Sequence, residues 1–196
     1  MVSVQQQTRP EQEDRAAGAR RPGRPPVHRR RPGPDLLTDI TEHPTTEGTL
    51  YLCAIKDVYS SRIVGYSMDS QMTAALAVSA LRNAIALRSP AGTVVVHSDR
   101  GSQFRSAAFI RTLRSSGLAG SMGRAGACGD NAAMESFFAL LHKNVLDRQR
   151  RDSREQLRLA IITWIERTYH RRRRQHRLGR LTPIKCETIN KVAHAA

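Results

Sequence analysis

Three carboxylates carry the most chemistry in this sequence. Asp99 follows an apolar β-branched run, Val94-Val95-Val96, and precedes Gly101, so it sits just past the carboxyl end of a strand. Open α/β sheets keep their ligands there. Asp39 lies inside a short β-prone run, Leu36 to Thr41, and Glu135 falls in the first turns of an amphipathic stretch, AAMESFFALLHKNVL. Thirty-five residues separate Asp99 from Glu135, enough chain to return a helix across the sheet. With the first and fourth strands as neighbours, the three carboxylates meet at one end of the sheet. Like charges so placed raise one another's pKa, and a hard divalent cation relieves the repulsion. Mg2+ takes oxygen ligands, typically one or two carboxylates plus substrate phosphate oxygens. Two such ions about 3.5–4 Å apart activate the attacking oxygen and stabilise the leaving one of an in-line displacement. Phosphoryl transfer is the chemistry this pattern points to. Each residue also has a plain structural reading: a turn or strand-edge carboxylate for the two aspartates, a solvent-facing helix residue for Glu135.

The charge distribution supports a polyanionic partner. The 196 residues carry a net charge of +15, with a pI near 11.2, which points to nucleic acid or an acidic membrane face. Residues 1–34 hold eight arginines against three acids, and residues 142–180 hold thirteen Lys/Arg against four acids. Between them, residues 35–141 hold nine of each. A neutral centre flanked by basic segments fits a site that works on what the flanks hold. The three cysteines, Cys53, Cys128 and Cys186, are far apart and lack C-x-x-C spacing, so neither a disulfide framework nor a zinc site is expected, and a reduced cytoplasmic setting fits. No apolar run approaches membrane-spanning length, and the Gln-rich start lacks the apolar region of a secretory signal.

The elements that must position the carboxylates are legible in outline. Residues 1–34 interleave arginine, proline and glycine, and read as a disordered basic arm, either phosphate-binding or without a fixed role. Strands are expected over 36–41, 50–55 and 62–68, linked as an antiparallel meander. Residues 73–88 read as a helix capped by Thr73, with Leu76, Ala80, Ala84 and Leu87 on one face. The strand 94–96, a helix over 106–114 and a short strand over 118–122 follow. A long helix capped by Asp130-Asn131 then presents Phe137, Phe138, Leu141 and Val145 to a core, and a last helix spans 153–169 with Leu157, Ile161, Ile162 and Ile165 inward. The expected order is β-β-β-α-β-α-β-α-α. It divides into the arm (1–34), a core domain (35–150), and a C-terminal helix with an arginine-rich tail (151–196) packed on or extending that core.

The residues around these carboxylates resemble a known family. TDIT at 38–41, EGTLYLCAIKDVYSSRIVGYSM at 47–68, HSDRGSQF at 97–104 and SMGRAGACGDNAAMESFFALLHKNVL at 121–146 are similar to the catalytic region of OrfB-type transposases of the insertion sequence three (IS-three) family, relatives of retroviral integrases. WIERTYHRRRRQHRLGRLTP at 164–183 is a weaker match. The resemblance implies an α/β, ribonuclease-H-like (integrase catalytic core) fold, a five-stranded mixed sheet flanked by helices. It implies a DDE triad of Asp39, Asp99 and Glu135 holding two Mg2+ or Mn2+ ions with DNA bound. It also implies cleavage at transposon ends and attack of a 3′-hydroxyl on target DNA, without a covalent protein–DNA intermediate. The implied partners are end and target DNA, further copies of this chain on that DNA, and a transposase subunit from an upstream reading frame; the implied location is the bacterial cytoplasm, at the nucleoid. The chain departs from the family at Leu36, where Trp is usual, at His142, where Lys is frequent, and at Tyr169-His170 and Gln175-His176. The short polar lead-in reads as an N-terminally truncated copy.

Other residues carry two readings each. His142 and Lys143 lie seven and eight positions beyond Glu135, near its helical face, and either approach DNA phosphates or form a solvated surface. Arg171, Arg172, Arg173, Arg174 and Arg177 have no interleaved acids and fit phosphate binding. His97 shapes the site or is structural; Ser102 and Gln103 contact DNA, or Ser102 caps the following helix; Asp57 and Asp69 read as turn residues; Trp164 packs in the last helix. Three functions compete: a DDE transposase domain, a non-catalytic DNA-binding remnant, and a nuclease of RNA–DNA hybrids on the same fold.

Overall fold

Apolar strands buried on both faces and short turns build the first half of the sheet. β1 (Asp35–Thr45), β2 (Gly48–Asp57) and β3 (Ile63–Asp69) form the expected antiparallel meander. β1 runs beyond the expected 36–41, pairing with β2 as far as Thr45↔Gly48. Pro44 does not end it, because β1 meets β4 only at Asp35–Leu37, and its later residues have an open edge where a missing N–H is harmless. The computed structural model describes residues 35–89, 94–122 and 128–195, without the side chains of 128–131 and 191–195. The arm expected over 1–34 lies outside the described residues.

Two helical crossovers add the parallel half. α1 (Ala74–Arg88) leads to β4 (Val94–Ser98), and α2 (Ala107–Ser115) leads to β5 (Leu118–Met122). β4 pairs parallel to β1 and β5 parallel to β4, giving a five-stranded mixed sheet in the order β3-β2-β1-β4-β5. Parallel neighbours need such crossovers. α1 lies close on β3 because Gly65 has no side chain: a Cβ there would meet the Ala80 carbonyl oxygen at 2.3 Å. Thr73 stands at the N-cap of α1, but its side chain makes no capping hydrogen bond, and Leu87 is exposed instead of joining Leu76, Ala80 and Ala84 in the core. At α2, Ser106 caps by accepting from Phe109 N at 3.2 Å, so Ser102 is not the cap.

The opposite face is covered by α3 (Cys128–Leu141) and α4 (Arg154–Thr163), each running on into a π-helical turn, His142–Leu146 and Trp164–Tyr169. α3 begins ahead of the expected Asp130 cap, whose side chain lies outside the described residues. Met134, Phe137, Phe138, Leu141, Leu157, Ile161, Trp164, Ile165 and Tyr169 bury against Leu37, Leu50, Leu52 and Ala54 of the sheet, while Ile162 is only half-buried. A final helix, α5 (Pro183–Ala195), was not expected. Its Glu187 reaches the β2–β3 turn, where it accepts from Ser60 Oγ at 2.7 Å and pairs with Arg62 at 2.8 Å and with Arg88. Among the described residues no helix is long and apolar enough to cross a membrane.

Candidate functional site

Strand register brings the first two carboxylates level. β1 and β4 pair from Asp35↔Val95 to Leu37↔His97, and Asp39 and Asp99 each lie two residues beyond that last rung along their own chain. Asp99 has just left β4, and its carboxylate accepts from Gly101 N at 2.9 Å, closing a tight turn. A Cβ on Gly101 would stand 3.0 Å from that same carboxylate oxygen, so the turn leaves no room for a side chain without movement. Gln103 ties the turn to the β3–α1 connection by donating to Met72 O at 3.1 Å. Asp39 shares the α3-covered face with Ala54, its partner on β2, and accepts from Ile40 N at 2.8 Å. Glu135 stands on α3 next to buried Met134 and is itself exposed.

Both of the other carboxylates bear on Asp39. Burial raises the pKa of the Asp39 carboxyl above its ordinary value; the Ile40 N–H lowers it, and the charges of Asp99 and Glu135 push it up further. Asp39 thus feels two other carboxylates, as the sequence anticipates. Oxygen donors of this kind suit a hard divalent cation. The trio is not drawn tight: among the described residues no group of three His, Cys, Asp or Glu side chains has the spacing of a closed metal site. Two carboxylates with substrate oxygens are a sufficient set for Mg2+, so the donor chemistry fits the ion without a closed protein cage.

The other anticipated residues are placed as follows. His142 and Lys143 are both exposed, on the π-helical turn that widens α3. The 100° per residue of an α-helix ends at Leu141, where that turn begins. The His142 ring meets His43 of β1 edge-on, with centroids 5.1 Å apart. His43 is fully buried, and burial followed by the His142 charge lowers its pKa to about 4. Arg171, Arg172, Arg173 and Arg174 are exposed. Arg177 turns its guanidinium onto Ser61 Oγ at 3.0 Å and onto the Val58 carbonyl. His97 lies 3.6 Å from Asp35 Oδ1. Asp57 and Asp69 accept turn N–H groups as expected, and Asp57 also pairs with Arg88 at 3.0 Å.

One residue near the site escaped the sequence reading. Lys56, at the end of β2, is buried and donates its ammonium to Ala133 O of α3 at 2.7 Å. Burial, and then the nearby Arg177, lower its pKa to about 8. A lysine closing an apolar run reads as a solvent-facing strand end, and no local pattern marks it otherwise.

Comparison with known proteins finds relatives of both the sequence and the fold. Two family models match, both described as integrase core domain, over residues 29–128 and 116–183. Transposase InsF for insertion sequence IS3A of Escherichia coli (strain K12) is 41% identical over 152 residues, 78% of this chain and 53% of the relative. The insertion element IS600 uncharacterized 31 kDa protein of Shigella sonnei is 42% identical over 147 residues, 75% of this chain and 54% of the relative. The chain therefore spans about half the length of the curated relatives it matches. Among solved structures, the HTLV-2 integrase catalytic core domain in complex with magnesium (trimeric form) aligns with TM-score 0.60 at 20% identity, covering 79% of this chain and 96% of that one. The catalytic core domain of BIV integrase aligns with TM-score 0.60 at 13% identity, covering 83% and 98%. At these identities the likeness is one of fold, the five-stranded mixed sheet of the expected ribonuclease-H-like class.

Proposed function

The chain belongs to the integrase core domain family, and from that premise we propose that it cleaves DNA at insertion-sequence ends and transfers the freed strand to target DNA. The observation that carries the reading is the shared field of Asp39, Asp99 and Glu135 at the carboxyl end of β4. These three carboxylates would hold the Mg2+ or Mn2+ ions, two with DNA bound. When bound, the ions polarise the scissile phosphate and stabilise charge on the attacking and leaving oxygens.

The chain's own residues supply position. Asp39 is fixed by its strand and by the Ile40 N–H, and Asp99 by the Gly101 turn. Glu135 is carried on a helix seated through Met134 and Phe137. In the first step a water oxygen attacks an end phosphodiester, leaving a free 3′-hydroxyl and a 5′-phosphate. In the second, that 3′-hydroxyl attacks a target phosphodiester; one P–O bond forms as one breaks, so no external energy source is needed. His142, Lys143 and Arg171 to Arg174 face solvent with charge or donors for the DNA backbone, and Arg177 adds its charge from an anchored position. DNA ends and target are the partners, with further copies of this chain bridging two ends, and an upstream-frame transposase subunit joining them; the work takes place on cytoplasmic, nucleoid DNA.

The test is strand transfer by the full chain with pre-cleaved end DNA. Wild type is expected to join it to target only with Mg2+ or Mn2+, and Asp99→Asn to lose joining while keeping its fold and its duplex binding. Duplex binding without metal-dependent joining on any end sequence of the related elements would instead favour the DNA-binding remnant.

A further inference from the structure

Lys56 is an expensive residue for its place. It sits on the α3-covered face of β2, opposite Leu37 and next in register to Ile63, both buried and apolar. An aliphatic side chain would pack there without taking a charge out of water, and a buried ammonium without a carboxylate partner is costly. The charge that bears on it is the like charge of Arg177. Its ammonium instead meets a main-chain carbonyl, Ala133 O, at 2.7 Å. Ala133 lies two residues before Glu135, in the early part of α3. Hydrophobic contacts through Met134 and Phe137 hold that helix against the sheet, but such contacts are non-directional and tolerate sliding. A short charge-assisted hydrogen bond from a strand to one carbonyl fixes a position along the helix axis. The strand giving it, β2, is also paired with the strand that carries Asp39.

We infer that Lys56 is a positioning residue for Glu135, setting the height of α3 so that the Glu135 carboxylate reaches the ion shared with Asp39. The inference rests on the reading of the three carboxylates as a metal site. Misplacement of a reacting or ligating group by about 1 Å can lower a rate about 100-fold, so a polar tether two residues away matters to the site more than to the fold. The test is Mn2+ binding by the full chain, free Mn2+ being counted by electron paramagnetic resonance, for wild type, Lys56→Met and Asp39→Asn. Lys56→Met keeps the aliphatic stem, and its thermal midpoint is expected to equal or exceed that of wild type. Its Mn2+ affinity is expected to fall about tenfold, and its strand transfer to fall further in Mg2+ than in Mn2+. Wild-type Mn2+ affinity in Lys56→Met, beside lost binding in Asp39→Asn, overturns the proposal alone. Identical titrations of wild type and Asp39→Asn overturn the metal reading and this proposal with it. Lys56→Gln, a neutral donor of shorter reach, keeps the question answerable should Lys56→Met fail to fold: weakened Mn2+ binding supports the tether, and wild-type binding refutes it.

Discussion

The two ends of this sheet handle charge in opposite ways. At the carboxyl end of β4, Asp39 is half-buried among two further carboxylates, and its proton is held more tightly than usual, first by burial and then by those neighbours. At the β2–β3 turn, Glu187 is also partly buried, yet its pKa is lowered: burial raises it, but Arg88, Ser60 and Arg62 together more than compensate. One cluster is closed by protein cations and works as a clasp between α5, α1 and the turn. The other sets Asp39 in the field of Asp99 and Glu135, and on the function proposed above a cation from outside would complete it. Carboxylates that raise a neighbour's pKa, in a chain where another buried carboxylate has its pKa lowered by cations, are where the proposed function puts its ligand.

Breaking the open cluster should have the largest effect. Asp39→Asn is expected to reduce metal-dependent strand transfer by at least about 10³-fold, equivalent to about 4 kcal/mol of lost transition-state stabilisation. Joining assays with pre-cleaved ends measure this directly, and near-normal joining would remove Asp39 from the ligand set. Breaking the closed cluster should act on stability instead. Glu187→Ala leaves Arg62 partly buried without its carboxylate and Arg88 with Asp57 alone, and is expected to lower unfolding free energy by about 2 kcal/mol. Urea denaturation reads the change, and a loss under about 1 kcal/mol would mean the clasp is no more than a surface ion pair.

The same contrast predicts opposite pH responses. Asp39 binds its proton to higher pH in the folded chain than in the unfolded one, so metal-free stability falls as pH rises between those two values. Glu187 has the reverse sign: its contribution is present above the unfolded pKa and disappears as pH falls through the depressed folded one. Asp39→Asn should therefore make the metal-free protein more stable at neutral pH and abolish stabilisation by added Mg2+. Thermal unfolding of both proteins, with and without Mg2+, checks this; an unchanged or lowered metal-free midpoint for Asp39→Asn would contradict the raised carboxyl.

These two clusters were unequally legible in the sequence. The open one rests on local features: β-branched Val94–Val96 stopping at Asp99, and the amphipathic stretch around Glu135, which strand order then brings together. Its convergence needed β1 beside β4, which the alternation of strands and helices anticipates. The closed cluster joins residues 99 and 125 positions apart, and nothing near Glu187 announces its partners. For the same reason α5 has no clear mark in the sequence: PIKCETINKVAHA lacks a sustained apolar stripe, and the helix is docked in part by ions. The π-helical turns after Leu141 and Thr163 were equally invisible, because apolar spacing tells which residues are inward but not how wide the last turn winds. Lys56 belongs to this class too, its partner Ala133 being 77 positions away.

The arginine tail divides along the same line between charges already engaged and charges left open. Arg177 gives donors to Ser61 and Val58, which ties the tail to the β2–β3 turn. Arg172 is exposed, and its backbone N–H closes onto Thr168 O at 3.0 Å, which fixes the main chain while the guanidinium faces solvent. A side chain that neutralises a phosphate on binding releases a counterion and steepens the salt dependence of affinity. Arg172→Ala is therefore expected to reduce the slope of log affinity against log salt by about 1 and to leave stability unchanged. Arg177→Ala should do the opposite, lowering stability by about 1 kcal/mol through its lost hydrogen bonds while moving the slope less. Duplex-binding titrations at several salt concentrations, paired with urea unfolding, separate the two. Equal slopes for the two variants would mean that the tail meets DNA as a diffuse charge, with no distinction between the anchored arginine and the free one.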